Sequence, residues 1–306
     1  MSTGQTPNRP LSQPGVPARP SSEPQLNAWI AALGRMSAAH PDMARILRIV
    51  ERLQDRPYRA HVLIYGEPGT GKEGLARLLH RLMHPDGAEL VRAQLLGRDL
   101  AEQRELLLGP GLGRDFHPPG GLIAAARGGS LLLDELLAVP SAVQRQLLEQ
   151  LQERRGEPDP VIIGLTDGEL LPAVEAGHFR HDLFYKLSRI VLRVPPLRER
   201  PEDMAHATLW IANRVLRARG VHRPAELEAA GEQAVPLSPD AYRVQEGAVL
   251  ALRRHAWPGN FREMEGVLER AILLYSDGER LTAADVEQGL DDRVQPAATA
   301  VATRRS

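Results

Sequence analysis

Up to about residue 200 the apolar positions of this chain alternate between short unbroken runs and stripes at helical spacing; beyond it only the stripes remain. The run Val62 to Tyr65 is short enough to be a buried strand, and Leu75, Leu78 and Leu79 then recur at helical spacing. Ahead of them, Leu26 to Leu33 predicts a short helix, and Met43, Ile46, Leu47, Ile49, Val50 and Leu53 predict an amphipathic one. Residues 89 to 96 predict a second strand, and Leu131 to Leu133 a third, ending on Asp134 and Glu135. Val143, Leu147, Leu148 and Leu151 give a helix, Val161 to Leu165 a buried strand, and Leu170 to Ala176 a helix. A charged helix with clustered aromatics follows over His178 to Leu187, then a strand over Ile190 to Val194 that Pro195 and Pro196 end. After Pro201 the pattern predicts helices alone: Met204 to Arg219, about Ala241 to His255, Phe261 to Tyr275 and Ala283 to Leu290. The class is therefore α/β over residues 25–200, followed by a small all-helical unit over 201–290.

Composition bounds the ends and the setting. Residues 1–24 hold six prolines and almost nothing that builds a core, so they read as a disordered or extended leader, and 291–306 as a disordered tail. With 306 residues, 42% of them hydrophobic, the chain can bury a large core. A net charge of −1 argues against binding duplex nucleic acid through bulk positive charge, while a local basic patch stays open. The absence of cysteine excludes disulfides and thiolate metal sites and fits a reducing cytoplasm. No apolar run reaches the length of a membrane span, and the N-terminus lacks the form of a signal peptide; the expectation is a soluble, cytoplasmic protein without membrane contact.

Between the first strand and its helix lies Gly66-Glu67-Pro68-Gly69-Thr70-Gly71-Lys72. A strand, a glycine loop and a helix turn successive backbone N–H groups around a polyphosphate, with Lys72 as a point charge near the β and γ phosphates. The plainer reading is a strand-to-helix turn with a surface lysine. Only two of the 38 basic residues are lysines, Lys72 and Lys186, which sharpens the phosphate reading, since the chain writes arginine wherever a generic cation serves. Asp134 and Glu135 end a strand where a nucleotide hydrolase needs one carboxylate for Mg²⁺ and another to polarise water; alternatively one of them caps the next element. Thr166-Asp167 either senses the γ phosphate or caps the following helix. His178 and His181 read as a solvated face or, with a third ligand, a metal pair. Asn260 is a natural N-cap, which puts Arg262 in the first helical turn with no obvious structural partner.

The ordered motifs GEPGTGKE (66–73), GGSLLLDEL (128–136), FRHDLFYKL (179–187), PPLRERPEDM (195–204) and HAWPGNFREME (255–265) closely resemble the central AAA+ ATPase domain of bacterial enhancer-binding proteins, the activators of sigma-54 RNA polymerase. The resemblance covers about residues 37 to 290 and implies a P-loop domain with a parallel sheet flanked by helices, closed by a helical lid. It implies that Lys72 and its loop, with Glu73, bind ATP, that Asp134 binds Mg²⁺ and that Glu135 activates water. It also implies that Arg180 enters a neighbouring subunit's site as an arginine finger, that Arg262 senses the γ phosphate from the lid, and that Gln94 stands where a switch Asn restrains the catalytic Glu.

Several positions depart from that pattern. The gripping GAFTGA-type loop is replaced by Gly109 to Gly120, shorter and with Phe116 as its one aromatic, and the hairpin between Arg154 and Val161 is shortened too. Lys186 replaces a second arginine and Asp167 an asparagine, and lysine does not reproduce a guanidinium fork. Neither a DNA-reading helix-turn-helix in residues 291–306 nor a receiver domain in residues 1–24 is expected. The leading expectation is an ATP-hydrolysing ring, hexameric by resemblance, that remodels a protein target such as sigma-54 RNA polymerase in transcription regulation. The alternative is a weakly active or inactive nucleotide-binding module that co-assembles with or inhibits a full-length related activator.

Overall fold

A computed structural model describes residues 39–109, 120–152, 159–228 and 237–292. The expected leader, the helix at Leu26 to Leu33, Phe116 with its loop over 110–119, the hairpin over 153–158 and the tail from 293 lie outside these residues.

Helix α1 (Pro41–Asp55) opens on His40, whose Nδ1 accepts the Asp42 N–H at 3.2 Å, with Pro41 in the first turn where its missing donor costs nothing. Strand β1 (Val62–Tyr65) leads through the glycine loop into α2 (Lys72–Met83), followed by β2 (Leu90–Gln94). Asp99 and Glu102 form a capping box at the start of α3 (Leu100–Leu108), and the short α4 (Gly121–Ala125) precedes β3 (Ser130–Asp134). Helix α5 (Ser141–Gln152), β4 (Val161–Thr166), α6 (Leu171–Glu175), α7 (His181–Leu187) and β5 (Ile190–Arg193) complete the α/β unit. The sheet order is β2-β3-β4-β1-β5, and every pairing is parallel. The register sets Tyr65 beside Thr166, Leu133 beside Gly164 and Gln94 beside Asp134. The glycine loop, Asp134-Glu135 and Asp167 thus share the C-terminal edge of the sheet, where open α/β sheets bind ligands.

Unbroken apolar strands follow from burial on both faces. Val62, Ile64, Leu132, Ile163 and Leu165 pack against α1 and α2, while Leu63, Leu131, Leu133 and Ile162 pack against Leu107, Leu147, Leu183 and Leu187 on the other side. One polar cluster crosses this packing. Buried Ser130 Oγ lies 2.9 Å from His80 Nδ1 and 3.0 Å from His84 Nε2, and His80 Nε2 lies 3.0 Å from the Ala88 carbonyl. His80 therefore donates through Nε2 and accepts the Ser130 hydroxyl at Nδ1. Burial, then the neighbouring His84, lowers the His80 pKa to about 4. The unfolded chain takes that proton near pH 6.5 and the fold does not, so stability is full above that value and is lost as the pH falls toward 4. From this group alone the loss is up to about 3 kcal/mol. Denaturant melts between pH 8 and 4 are expected to show this slope, and to show less of it in His80→Gln; an equal slope in the variant would remove the assignment.

The second unit is not all-helical. Helix α8 (Met204–Ala218) is followed by β6 (Ala225–Glu228), β7 (Tyr242–Gln245), α9 (Glu246–Arg253), α10 (Asn260–Arg270), β8 (Arg280–Leu281) and α11 (Ala283–Asp291), and the three strands pair in the parallel order β6-β7-β8. The helix expected from about Ala241 begins at Glu246, because Tyr242 and Val244 are buried and Arg243 between them is exposed: period two rather than 3.6. The helix expected through Tyr275 continues past Arg270 as one wider π turn, Ala271–Tyr275. This unit has its own core, in which Trp257, Tyr242, Met264 and Leu268 are fully buried. The Trp257 indole donates to the Leu252 carbonyl at 2.8 Å.

Candidate functional site

The glycine loop is built against the second unit. Gly69 has φ +78°, and a Cβ there would lie 2.3 Å from the Gly259 carbonyl oxygen, so a side chain is excluded by conformation and by space. Its own carbonyl accepts the Phe261 N–H at 3.0 Å. Asn260 is fully buried and does not cap α10, contrary to expectation. With φ +51° its side chain turns back: Nδ2 donates to the Pro68 carbonyl at 3.0 Å and to Glu67 Oε2 at 3.2 Å, while Oδ1 accepts the Leu197 N–H at 2.8 Å. Arg198 forks onto both Glu67 oxygens, with Nη1 to Oε2 at 2.7 Å. Arg198 first, with help from Asn260, lowers the Glu67 pKa to about 2. One loop carboxylate therefore ties the loop to Arg198, in the turn Leu197–Glu199, and to α10.

Lys72 opens α2 and folds under the loop. Its Nζ donates to the Gly66 carbonyl at 2.5 Å, the Glu67 carbonyl at 3.0 Å and Asp167 Oδ1 at 2.8 Å. Thr70 Oγ1 closes the turn on the Glu67 carbonyl at 2.8 Å. Asp167 thus faces the lysine and does not cap the next helix; the residue at the cap position before α6 is Leu170, which offers no side-chain cap.

Asp134 ends β3, and Glu135 follows with φ +57° and ψ +53°, a left-handed conformation that costs a non-glycine residue about 1–3 kcal/mol. Glu135 makes no side-chain hydrogen bond among the described residues. Burial, then Asp167 and Asp134, raises its pKa, with Lys72 opposing. Asp134 is paired: Arg92 Nη2 donates to its Oδ2 at 2.6 Å, and Arg92 Nη1 reaches Glu73 Oε1 at 3.2 Å. Gln94 is exposed beside Asp134 in register and makes no hydrogen bond to Glu135 among the described residues.

Lys72, Asp134, Glu135 and Asp167 open on one cleft of about 380 Å³, whose lining does not include Gln94. Its floor is the loop with Lys72, Glu73, Arg92, Asp134, Glu135 and Asp167, and its roof is Trp210, Arg214, Phe261, Arg262 and Glu265 from the second unit. Arg214 pairs with Glu265 and lies 5.3 Å from the Trp210 ring centroid. Arg262 is exposed and has no ion-pair partner among the described residues. Backbone donors, Lys72 and Arg262 beside Asp134 and Glu135 suit a polyphosphate carried with a divalent cation.

Arg180 and Lys186 do not line this cleft. Arg180 precedes α7 and grips Asp182, Nε to Oδ1 at 3.0 Å and Nη2 to Oδ2 at 2.6 Å. Lys186 lies half-buried in the field of His61, whose pKa burial lowers to about 4, with Lys186 as the next cause. Sequence reasoning missed three residues. Arg92 gave no signal beyond a charge in a strand. Arg198 sat in a quoted motif without a role. Gln144, fully buried on an apolar helix face, was the visible anomaly: its Oε1 accepts the Arg180 N–H at 2.7 Å and its Nε2 donates to the Val139 and His178 carbonyls at 2.8 and 3.1 Å, which fixes where Arg180 is presented.

A five-stranded parallel sheet with this loop, roofed by a smaller unit, defines an AAA+ module. The chain belongs to the Sigma-54 interaction domain family, which matches residues 36–193, and the AAA+ ATPase lid domain matches 226–303. The Sigma54-dependent transcriptional regulator SfnR of Pseudomonas fluorescens is 34% identical over 246 residues, 74% of this chain and 60% of that protein. The crystal structure of NtrX from Brucella abortus in complex with ADP superposes with a TM-score of 0.64 at 26% identity, covering 91% of this chain and 60% of that one. The RuvB Holliday junction branch migration motor of Thermotoga maritima shares the fold alone, at a TM-score of 0.52 and 14% identity over 85% of this chain and 72% of that one. The chain spans about 40 to 60% of the length of the curated relatives it matches. Among the described residues no helix is long and apolar enough to cross a membrane.

Proposed function

We propose that the chain binds ATP with Mg²⁺ in this cleft and hydrolyses it, as a subunit of a cytoplasmic hexameric ring that remodels a protein target, such as sigma-54 RNA polymerase, in transcription regulation. Residues 25–200 are then the nucleotide-binding unit and 201–290 its lid. The observation that carries the reading is the convergence of Lys72, Asp134, Glu135 and Arg262 on one cleft at the C-terminal edge of the sheet. The donor set fits the metal, since Mg²⁺ is commonly held by one or two carboxylates with substrate phosphates completing the shell, and Asp134 is such a carboxylate. When bound, the cation offsets charge on the β and γ phosphates.

The chain's own residues do the rest. Phosphate oxygens compete with Asp167 for the Lys72 ammonium, and the loop amides take the remaining charge. Arg262 reaches the γ phosphate from the lid and reports its loss to α10. Glu135, without a side-chain hydrogen bond among the described residues and with a raised pKa, is the base that takes a proton from the attacking water. Arg180 completes a neighbour's cleft, and similarity to sigma54-dependent regulators such as SfnR supports a target of the sigma-54 RNA polymerase kind. Glu135→Gln is expected to lower turnover at least about a hundredfold while ATP affinity holds within about threefold. Steady-state hydrolysis beside equilibrium titration checks it; unchanged turnover would remove Glu135 as the base.

A further inference from the structure

Arg92 has a place that the phosphate-binding reading leaves unexplained. It projects from β2, an edge strand, on the exposed side of a run in which Val91 and Ala93 are buried. Its two terminal nitrogens are divided between Asp134 at 2.6 Å and Glu73 at 3.2 Å. Glu73 follows Lys72, the position at which phosphate loops set the hydroxyl that faces Mg²⁺. One guanidinium therefore bridges both residues that flank the metal position, and it lines the cleft with them. The second cation on Glu73, Arg77 Nη2 at 2.7 Å, touches neither Asp134 nor the cleft.

We propose that Arg92 is a resident counter-cation on the metal side of the cleft, which holds Asp134 until metal-bound nucleotide takes that carboxylate from it, and which supplies positive charge to the phosphates when metal is absent. The inference rests on the nucleotide reading above and deepens it. A guanidinium cannot be deprotonated in a protein, so this charge is permanent and competes with a divalent cation for the same oxygen. Metal-free ATP, the more negative form, gains from Arg92; the magnesium complex gains less and must displace it from Asp134. Arg92 is thus a positioning residue that sets how strongly binding depends on metal.

The test compares ATP affinity in excess Mg²⁺ and in excess chelator, by equilibrium titration of the full chain. Wild type is expected to bind in both buffers, with affinities within about an order of magnitude. Arg92→Gln is expected to raise the metal-to-chelator affinity ratio at least about tenfold, chiefly by losing metal-free binding. Arg92→Lys keeps a cation and restores part of the wild-type ratio, and Arg77→Gln leaves the ratio unchanged. ATP binding by wild type with the same ratio in Arg92→Gln would overturn this inference alone. An equal rise in Arg77→Gln would overturn it too, because any charge beside Glu73 would then suffice. No ATP binding by wild type in either buffer would overturn the nucleotide reading and this inference with it.

Discussion

Lys72→Ala is expected to bind ATP at least about a hundredfold more weakly than wild type and to show no turnover, with the fold intact. The side chain is only 10% exposed and its ammonium is set by two loop carbonyls, so its position is fixed before a phosphate arrives and little ordering entropy opposes binding. Removing it deletes the compact charge at the phosphates and leaves two loop carbonyls short of a donor. The fold survives because the loop is tied independently, through Asn260 to Pro68 and Arg198 to Glu67, and because Asp167 is 47% exposed and keeps water as a partner. Nucleotide titration with a thermal melt of the same sample measures both halves. Unchanged affinity would remove the phosphate-loop assignment, and a collapsed melt would make Lys72 structural.

Arg180→Ala is expected to keep ATP affinity within about threefold and to lose about a thousandfold in turnover, the scale on which arginine fingers act. The residue does not line its own chain's cleft, so a loss of turnover without a loss of binding has to arise between subunits. Gln144 holds the Arg180 backbone, and Asp182 holds its guanidinium through two hydrogen bonds, so the side chain is held in place but engaged. Reaching a neighbour's phosphate means exchanging Asp182 for it. Mixing Arg180→Ala with Glu135→Gln subunits sharpens the measurement, because each lacks what the other supplies. Activity in the mixture that neither shows alone is the expected result, and wild-type turnover in Arg180→Ala would remove the shared site.

The α/β half was legible because its strands are buried on both faces: β1, β3 and β4 read as unbroken apolar runs that no surface helix would carry. The glycine loop was legible from spacing, and the carboxylates from their place at the end of β3. The lid sheet was not. Its strands are two to four residues long, and β8 is too short to show any period. Asn260 misled for a different reason: Asn before an apolar run is read as a cap, whereas its left-handed backbone and full burial make it a bridge between loop and lid. Arg92 was invisible because an exposed charge on an edge strand is ordinary, and only the register that sets β2 beside β3 brings it to Asp134. Lys186 was placed by resemblance; it sits half-buried in the last turn of α7, outside the cleft lining, and local pattern does not carry which site a residue at the end of a helix serves.

The central claim is a cleft completed by a second copy of the chain, and ATP turnover per subunit against protein concentration tests it most directly, with Glu135→Gln as the blank. The account predicts a rate per subunit that rises with concentration and then levels as rings fill. A rate per subunit that stays flat across the range, or no turnover above the blank while ATP is bound, would contradict it.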